Sequence, residues 1–382
     1  MTTVLITGAR APVAQDLARA CRAAGMDVHL ADSVTPFAAR ALRPRFPIHR
    51  LPPPRQAFGD FRMRMCGLLD EVAPDLIVPT CEEVFWLAEA AQRDGYAERL
   101  FAPPPDLLRR LHSKALFPAF ARKLGLDAPE TYVLASRDDL GRVPIEAASL
   151  VLKPEYSRFA THVLVAPTAA ARDRVAPTAA RRWVAQRRIR GEEICSWAAV
   201  RNGRITAFAA YRPRWRHGKA AAYQIEAIEL PAARRVTETI AAATGMTGHL
   251  SFDMIVDEDG RAWPIECNPR AVSGLHLLDA GPALGRALVE DGACLAPEPG
   301  RLRHLAPAML FLGLPSALRR RRLGALVADW RAGADVVGRG NALALAGCLA
   351  DSARFALMAL RAGASPASAT TVDIEWDGEP IP

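Results

Sequence analysis

The segment from Gly248 to Arg270, GHLSFDMIVDEDGRAWPIECNPR, restricts the fold more than any other part of the chain. Apolar residues alternate through Phe252-Asp253-Met254-Ile255-Val256, an Asp-Glu-Asp-Gly break follows, and Arg261-Ala262-Trp263-Pro264-Ile265 starts a second run. This is the pattern of a β-hairpin. With Asp259-Gly260 as a two-residue turn, Glu258 stands opposite Arg261 and, counting outward, Asp253 stands opposite Glu266. Alternation then puts Glu266 and Asn268 on one face of the strand and Cys267 on the other. Like charges directly across a ladder are destabilising unless a cation lies between them. The pattern asks for a hard cation with oxygen ligands.

A chain of 382 residues, half of them apolar and 24% charged, is long enough for two or three packed domains. Its net charge of +8 suits anionic small molecules, nucleic acid or acidic membrane surfaces without choosing among them. The seven cysteines are scattered singly, with no CxxC pair, as in a cytoplasmic protein with reduced thiols. The N-terminus opens directly on a strand, TTVLITG, so no signal peptide is expected, and no run of about 18 uninterrupted apolar residues marks a transmembrane helix.

The first hundred residues alternate strand and helix, which predicts a parallel sheet covered by helices. The first turn, TGARAPVAQDLARA, sits where a dinucleotide loop would but keeps only Gly8 of the three glycines of GxGxxG. Arg10, Pro12 and Ala14 stand where backbone must approach a pyrophosphate, so a supporting domain without nicotinamide cofactor is expected, and Asp32 is given no function. The middle third reads as α+β with an antiparallel sheet, and the chain past residue 285 as helical and basic. The expected division is therefore 1–105, 106–285 and 286–382. The run LRRRRLG at 318–324 is read as a solvated helix face rather than a membrane or nucleic-acid patch.

Three further features fall in order before the hairpin. Lys114 follows a Ser cap at a helix start, Lys153 ends the apolar strand LVLKP, and WVAQRRIRGEE places a strand end, a linker and Gly-Glu-Glu in succession. Lysines neutralise phosphates, and paired acids hold a magnesium ion shared with phosphate oxygens, so the set describes a nucleoside triphosphate site. Over roughly residues 2–280 the sequence resembles the ATP-grasp superfamily, in the branch of biotin carboxylase, carbamoyl-phosphate synthetase and the carboxylate–amine ligases. The resemblance implies an ATP-grasp fold, α/β and α+β, with a Rossmann-like N-terminal domain, two central lobes with ATP between them, and a helical C-terminal region.

Carried over residue by residue, the resemblance makes Asp253, Glu266 and Asn268 ligands of magnesium or manganese, and Lys114 and Lys153 the ATP lysines. Gln186 through Ile189 would be the adenine hinge, Glu193 a ribose-binding acid, and Arg270 the arginine that steadies an acyl phosphate. The loop after the second lysine, KPEYSRFATHV, departs from the family in having no glycine; Ser157, Arg158 and Thr161 offer side-chain donors instead, Arg158 a phosphate fork. His217 and Arg214 are expected in a basic loop, where substrate contact and solvated charge are equally open. The implied activity is an ATP-dependent carboxylate–amine ligase, cytoplasmic, acting on a small-molecule carboxylate and amine, with no nucleic-acid partner and with homodimerisation left open. A bicarbonate-activating enzyme and a non-catalytic ATP-binding relative remain as alternatives.

Overall fold

The computed structural model describes every residue except 158–161, 217–221, 338–340 and 364–365. Near the N-terminus, β1 (Thr3–Thr7), β2 (Asp27–Asp32), β3 (Ile48–Arg50) and β4 (Leu76–Val78) form a parallel sheet in the order β3-β2-β1-β4. β1 is apolar on both faces, as a strand covered on both sides must be. Val4 and Ile6 are buried with residues of helix Pro12–Ala23, and Leu5 with residues of helices Phe58–Val72 and Glu83–Asp94. Gly8 is required in the first turn: its φ is +69°, and a Cβ there would meet Thr80 Oγ1 at 2.5 Å.

Two further sheets follow. β5 (Thr131–Leu134), β6 (Leu150–Pro154), β7 (Leu164–Val165) and β8 (Trp183–Arg187) pair in the order β5-β8-β6-β7. The larger sheet takes β9 (Glu192–Arg201), β10 (Arg204–Arg216), β11 (Ala222–Ile228), β12 (Gly248–Val256), β13 (Ala262–Asn268), β14 (Leu302–His304) and β15 (Ala334–Asp335), in the order β13-β12-β9-β10-β11-β14-β15. On one face it packs on helices Pro105–His112, Leu116–Lys123 and Pro231–Thr244 through Leu111, Phe117, Ile240, Leu250 and Cys267. On the other, Trp197, Ala199 and Ala207 join the core that holds helix Pro12–Ala23. The region past residue 285 is thus not helical throughout, since β14 and β15 extend this sheet. Strands of two or three residues are too short to leave a period-2 pattern.

The C-terminal region returns to the N-terminal sheet. In helix Ala342–Ala362, Asp351 accepts from the backbone N–H groups of Phe37 and Ala38 at 3.2 and 3.0 Å. By length and composition Ala342–Arg361 could cross a membrane, a property hidden from a search for uninterrupted apolar residues because Asp351 and Arg354 interrupt it. The last residues follow, with Trp376 stacked on Phe85 at 4.8 Å between centroids and Trp86 Nε1 donating to the Ile374 carbonyl. Arg10 is buried where this tail meets the first turn. Its guanidinium donates to Asp32, Ser33, the Thr370 carbonyl and Asp373, while its backbone N–H also donates to Asp32.

Candidate active site

The hairpin closes differently from the simple count. Gly260, at φ +76°, ends a three-residue loop, and the N–H of Asp257 bonds the Arg261 carbonyl at 3.1 Å. The Asp257 side chain organises this loop, accepting from the N–H groups of Asp259 and Arg261 and from Trp263 Nε1. The expected Glu258–Arg261 pair is therefore replaced by Asp257–Arg261, and Met254 faces Pro264. A bulge after Pro264 then restores the offset, leaving Asp253 opposite Glu266 and Ser251 opposite Asn268. The proline is tolerated because β13 is an edge strand. Ile265, the extra residue, turns its carbonyl to Lys153 Nζ at 3.0 Å.

Around the paired acids, Lys114 Nζ lies 3.3 Å from Glu266 Oε1 and 3.2 Å from the Ser157 carbonyl. Ser113 places it: its Oγ accepts from the N–H groups of Ala115 and Leu116 and donates to Glu155 Oε1 at 2.5 Å. Glu155, a residue beyond the strand that carries Lys153, also pairs with Arg182 at 2.7 Å. Sequence reasoning passed over it, although a buried acid two residues after the lysine is a signal that it ties strand to helix. Asn268 Nδ2 is 3.4 Å from Asp253 Oδ2, and Cys195, directly across from Asp253 on β9, donates its thiol to Oδ1 at 3.2 Å. Cys267 is buried in the helical core on the opposite face.

These charges displace one another. Burial pushes the Asp253 carboxyl above its usual range, and Glu266 pushes it further. For Glu266, burial is outweighed by Lys114 and Lys153, which hold it below the usual range. Burial brings the Lys153 ammonium down to about 8 against the pull of Glu266, with Lys114 adding to the fall. A cation beside Asp253 would relieve the burial and the repulsion together. Among the described residues no group of three or more His, Cys, Asp or Glu side chains is placed to hold a metal ion, so the candidate ligands are two acids and an amide. Such a set suits magnesium, which keeps most of its ligands as water and phosphate oxygens.

The acids open onto a cavity of about 1050 Å³, whose wall includes Lys153, Gln186, Ile189, Glu193, Asp253, Glu266, Asn268 and Arg270. Gln186 is buried, its Nε2 donating to Thr131 Oγ1 at 3.1 Å, and the Arg188 N–H is bound to the Ser149 carbonyl. Glu193 is paired with Arg216 at 2.6 Å, a partner not foreseen from the sequence. Pro269 ends the strand and the Arg270 N–H turns back onto the Asn268 carbonyl; the guanidinium lies 3.4 Å from Glu82 in the N-terminal domain. It still faces the cavity. Arg214, expected in a loop, belongs to β10 and pairs with Asp329. Arg158, Thr161 and His217 lie outside the described residues. The lining also includes Ala11, Pro12, Thr80 and Cys81 of the N-terminal domain and His304, Leu305 and Thr371 of the C-terminal region.

No family model matches the sequence, and no curated protein matches it. Solved structures do match in fold. An L-amino acid ligase from Bacillus licheniformis is 16% identical, with a TM-score of 0.53 over 76% of this chain and 74% of that one. The biotin carboxylase domain of Hydrogenobacter thermophilus 2-oxoglutarate carboxylase, solved with MgADP and bicarbonate, is 15% identical with a TM-score of 0.60 over 79% and 73%. N5-carboxyaminoimidazole synthetase from Staphylococcus aureus is 11% identical with a TM-score of 0.62 over 82% and 85%. These neighbours are ATP-grasp enzymes, and the chain has the ATP-grasp fold read from its sequence.

Proposed function

We propose that the protein is an ATP-dependent carboxylate–amine ligase forming an amide through an acyl phosphate, with release of ADP and phosphate. The observation that carries this reading is the meeting of buried Lys153 and two crowded acids on the wall of one large cavity, with buried Lys114 bonded to one of those acids. Residues 106–285 would hold the nucleotide, while 1–105 and 286–382 wall the space for the other substrates.

A carboxylate resists amines because oxide is its leaving group; transfer of the γ-phosphoryl group makes phosphate the leaving group instead. Gln186 and the backbone of Ile189 would take the base edge, and Glu193 the ribose. Lys114 and Lys153 would lie along the phosphates, where fixed positive charge stabilises charge developing in transfer. Asp253, Glu266 and Asn268 would hold magnesium or manganese, which when bound neutralises β- and γ-phosphate oxygens. Arg270, facing the same cavity, would steady the acyl phosphate until the amine displaces it. The fixed amide of Gln186 and the two tethered lysines cost no reorganisation at the moment of reaction.

The direct test screens ADP release against pools of carboxylic acids and amines. With the acid then labelled in both carboxylate oxygens by oxygen-18, the released phosphate should carry one label. Label arriving only from bicarbonate would replace this reading with a bicarbonate-activating one, and nucleotide binding without turnover under any pool would make the protein a non-catalytic binder.

A further inference from the structure

The stretch from Met309 to Ala332 contains the arginine run that the sequence pattern assigned to a solvated helix face. Its inner side packs as expected, with Met309, Ala317 and Leu326 in a small core with Trp215 of β10 and Tyr223 of β11. Its exposed side chains are not all polar. Leu310, Phe311, Leu312, Leu318, Leu323 and Trp330 all remain exposed, Phe311 by 62% and Leu318 by 57%. Leu318 and Leu323 directly flank Arg319–Arg322, all four of which are exposed. Among the described residues no carboxylate pairs with any of these arginines, although Arg322 stacks over the Trp215 ring at 5.2 Å.

Charge and apolar surface together select the occupant. A solvated face carries apolar side chains singly, not six within about twenty residues. A second copy docking by two-fold symmetry presents the same patch from both sides and so sets one arginine run near the other. Nucleic acid would engage the arginines but leave the aliphatic side chains with nothing to contact. An anionic bilayer satisfies both: its phosphates take guanidinium groups, and Leu, Phe and Trp enter the boundary between headgroups and acyl chains. We propose that residues 309–332 form a peripheral docking surface for an anionic phospholipid membrane, with Arg319–Arg322 on the headgroups and Leu310, Phe311, Leu312 and Trp330 in the interfacial layer. Tyr223 packs in the core beneath this surface and also lines the large cavity, so the two adjoin.

The test is co-sedimentation of the full chain with extruded vesicles of phosphatidylcholine alone or mixed with phosphatidylglycerol. Binding is expected to the mixed vesicles only, falling as sodium chloride is added. Joint replacement Arg319→Gln, Arg320→Gln and Arg321→Gln should weaken it at least about tenfold. Phe311→Ser with Leu312→Ser should weaken it severalfold at unchanged charge; should that pair fail to fold, Leu310→Ser alone reads the same apolar contribution. Absence of binding to anionic vesicles, undiminished binding by the arginine variant, or binding indifferent to every apolar substitution would overturn the proposal. So would a dimer in sedimentation velocity that Phe311→Ser dissociates, or tight binding of duplex DNA through the same arginines in place of vesicles.

Discussion

Two half-buried aspartates, Asp373 beside the first βα turn and Asp253 in the hairpin, are shifted in opposite directions. Burial pushes both carboxyls up. At Asp373 the guanidinium of Arg10 reverses the effect and holds the group below its usual range, with Ser33 donating as well. At Asp253 the nearest donors are a thiol and a distant amide, and the neighbouring acid Glu266 raises the carboxyl further. The first cluster is closed by its own cation and reads as architecture. The second keeps two carboxyls side by side with lysines against Glu266 alone, the arrangement on which the proposed divalent-cation site rests.

The sharpest way to break this contrast is to make the first region resemble the second. Arg10→Ala leaves Asp32 and Asp373 buried without their cation, and is expected to lower stability by about 3–5 kcal/mol, the usual consequence of breaking a buried ion pair from one side. Denaturant titration measures it; an unchanged midpoint would mean that the tail docks without Arg10. Glu266→Gln works in the other direction by removing the crowding charge. ATP turnover, read as ADP release, should fall at least about a hundredfold while the fold is kept. Near-normal turnover would make the hairpin acids structural.

A smaller effect lies in the pH dependence. With the Asp253 pKa raised from 3.8 to about 6, the folded apoprotein holds a proton between those values that the unfolded chain has released. Stability should therefore fall as pH rises through that window, by about 1 kcal/mol once the water facing Asp253 in the cavity is allowed for. Asp253→Asn should flatten the slope, and magnesium with ADP, which needs the ionised acid, should reverse it. Melting curves across the window decide the matter. Of similar size is Arg270→Lys, which keeps a charge opposite Glu82 but loses the planar fork. The chemical rate should drop about tenfold with little change in ATP affinity. Equal losses in both would move Arg270 from acyl-phosphate contact to nucleotide binding.

How far the sequence could be read follows the range of the interactions. The opposition of Asp253 and Glu266 was legible from alternation, yet it arises through two offsets, a three-residue loop and a bulge, that cancel. Counting residues cannot see a bulge, because nothing in a period-2 pattern records which residue goes unpaired. Most of the parallel sheet was legible because β1, β2 and β4 carry apolar runs that alternate with helices, whereas β3, Ile-His-Arg, carries none. The tail was not: Arg10 meets Asp373, and Phe85 meets Trp376, across nearly the whole chain, from a segment with no periodicity. The contact of Arg270 with Glu82 was hidden for the same reason, since it joins elements that only the fold brings together.

The most direct measurement of the hairpin's role is a manganese titration followed by electron paramagnetic resonance, with ADP present and the protein either unaltered or carrying Asp253→Asn and Glu266→Gln. Protein-bound manganese loses the sharp signal of the free ion, so the spectrum counts bound metal without requiring turnover. Expected is suppression of the free signal by the unaltered protein with ADP, beyond that given by ADP alone, and its return in the double variant. Superimposable titrations of the two proteins would contradict the assignment of Asp253 and Glu266 to a divalent cation.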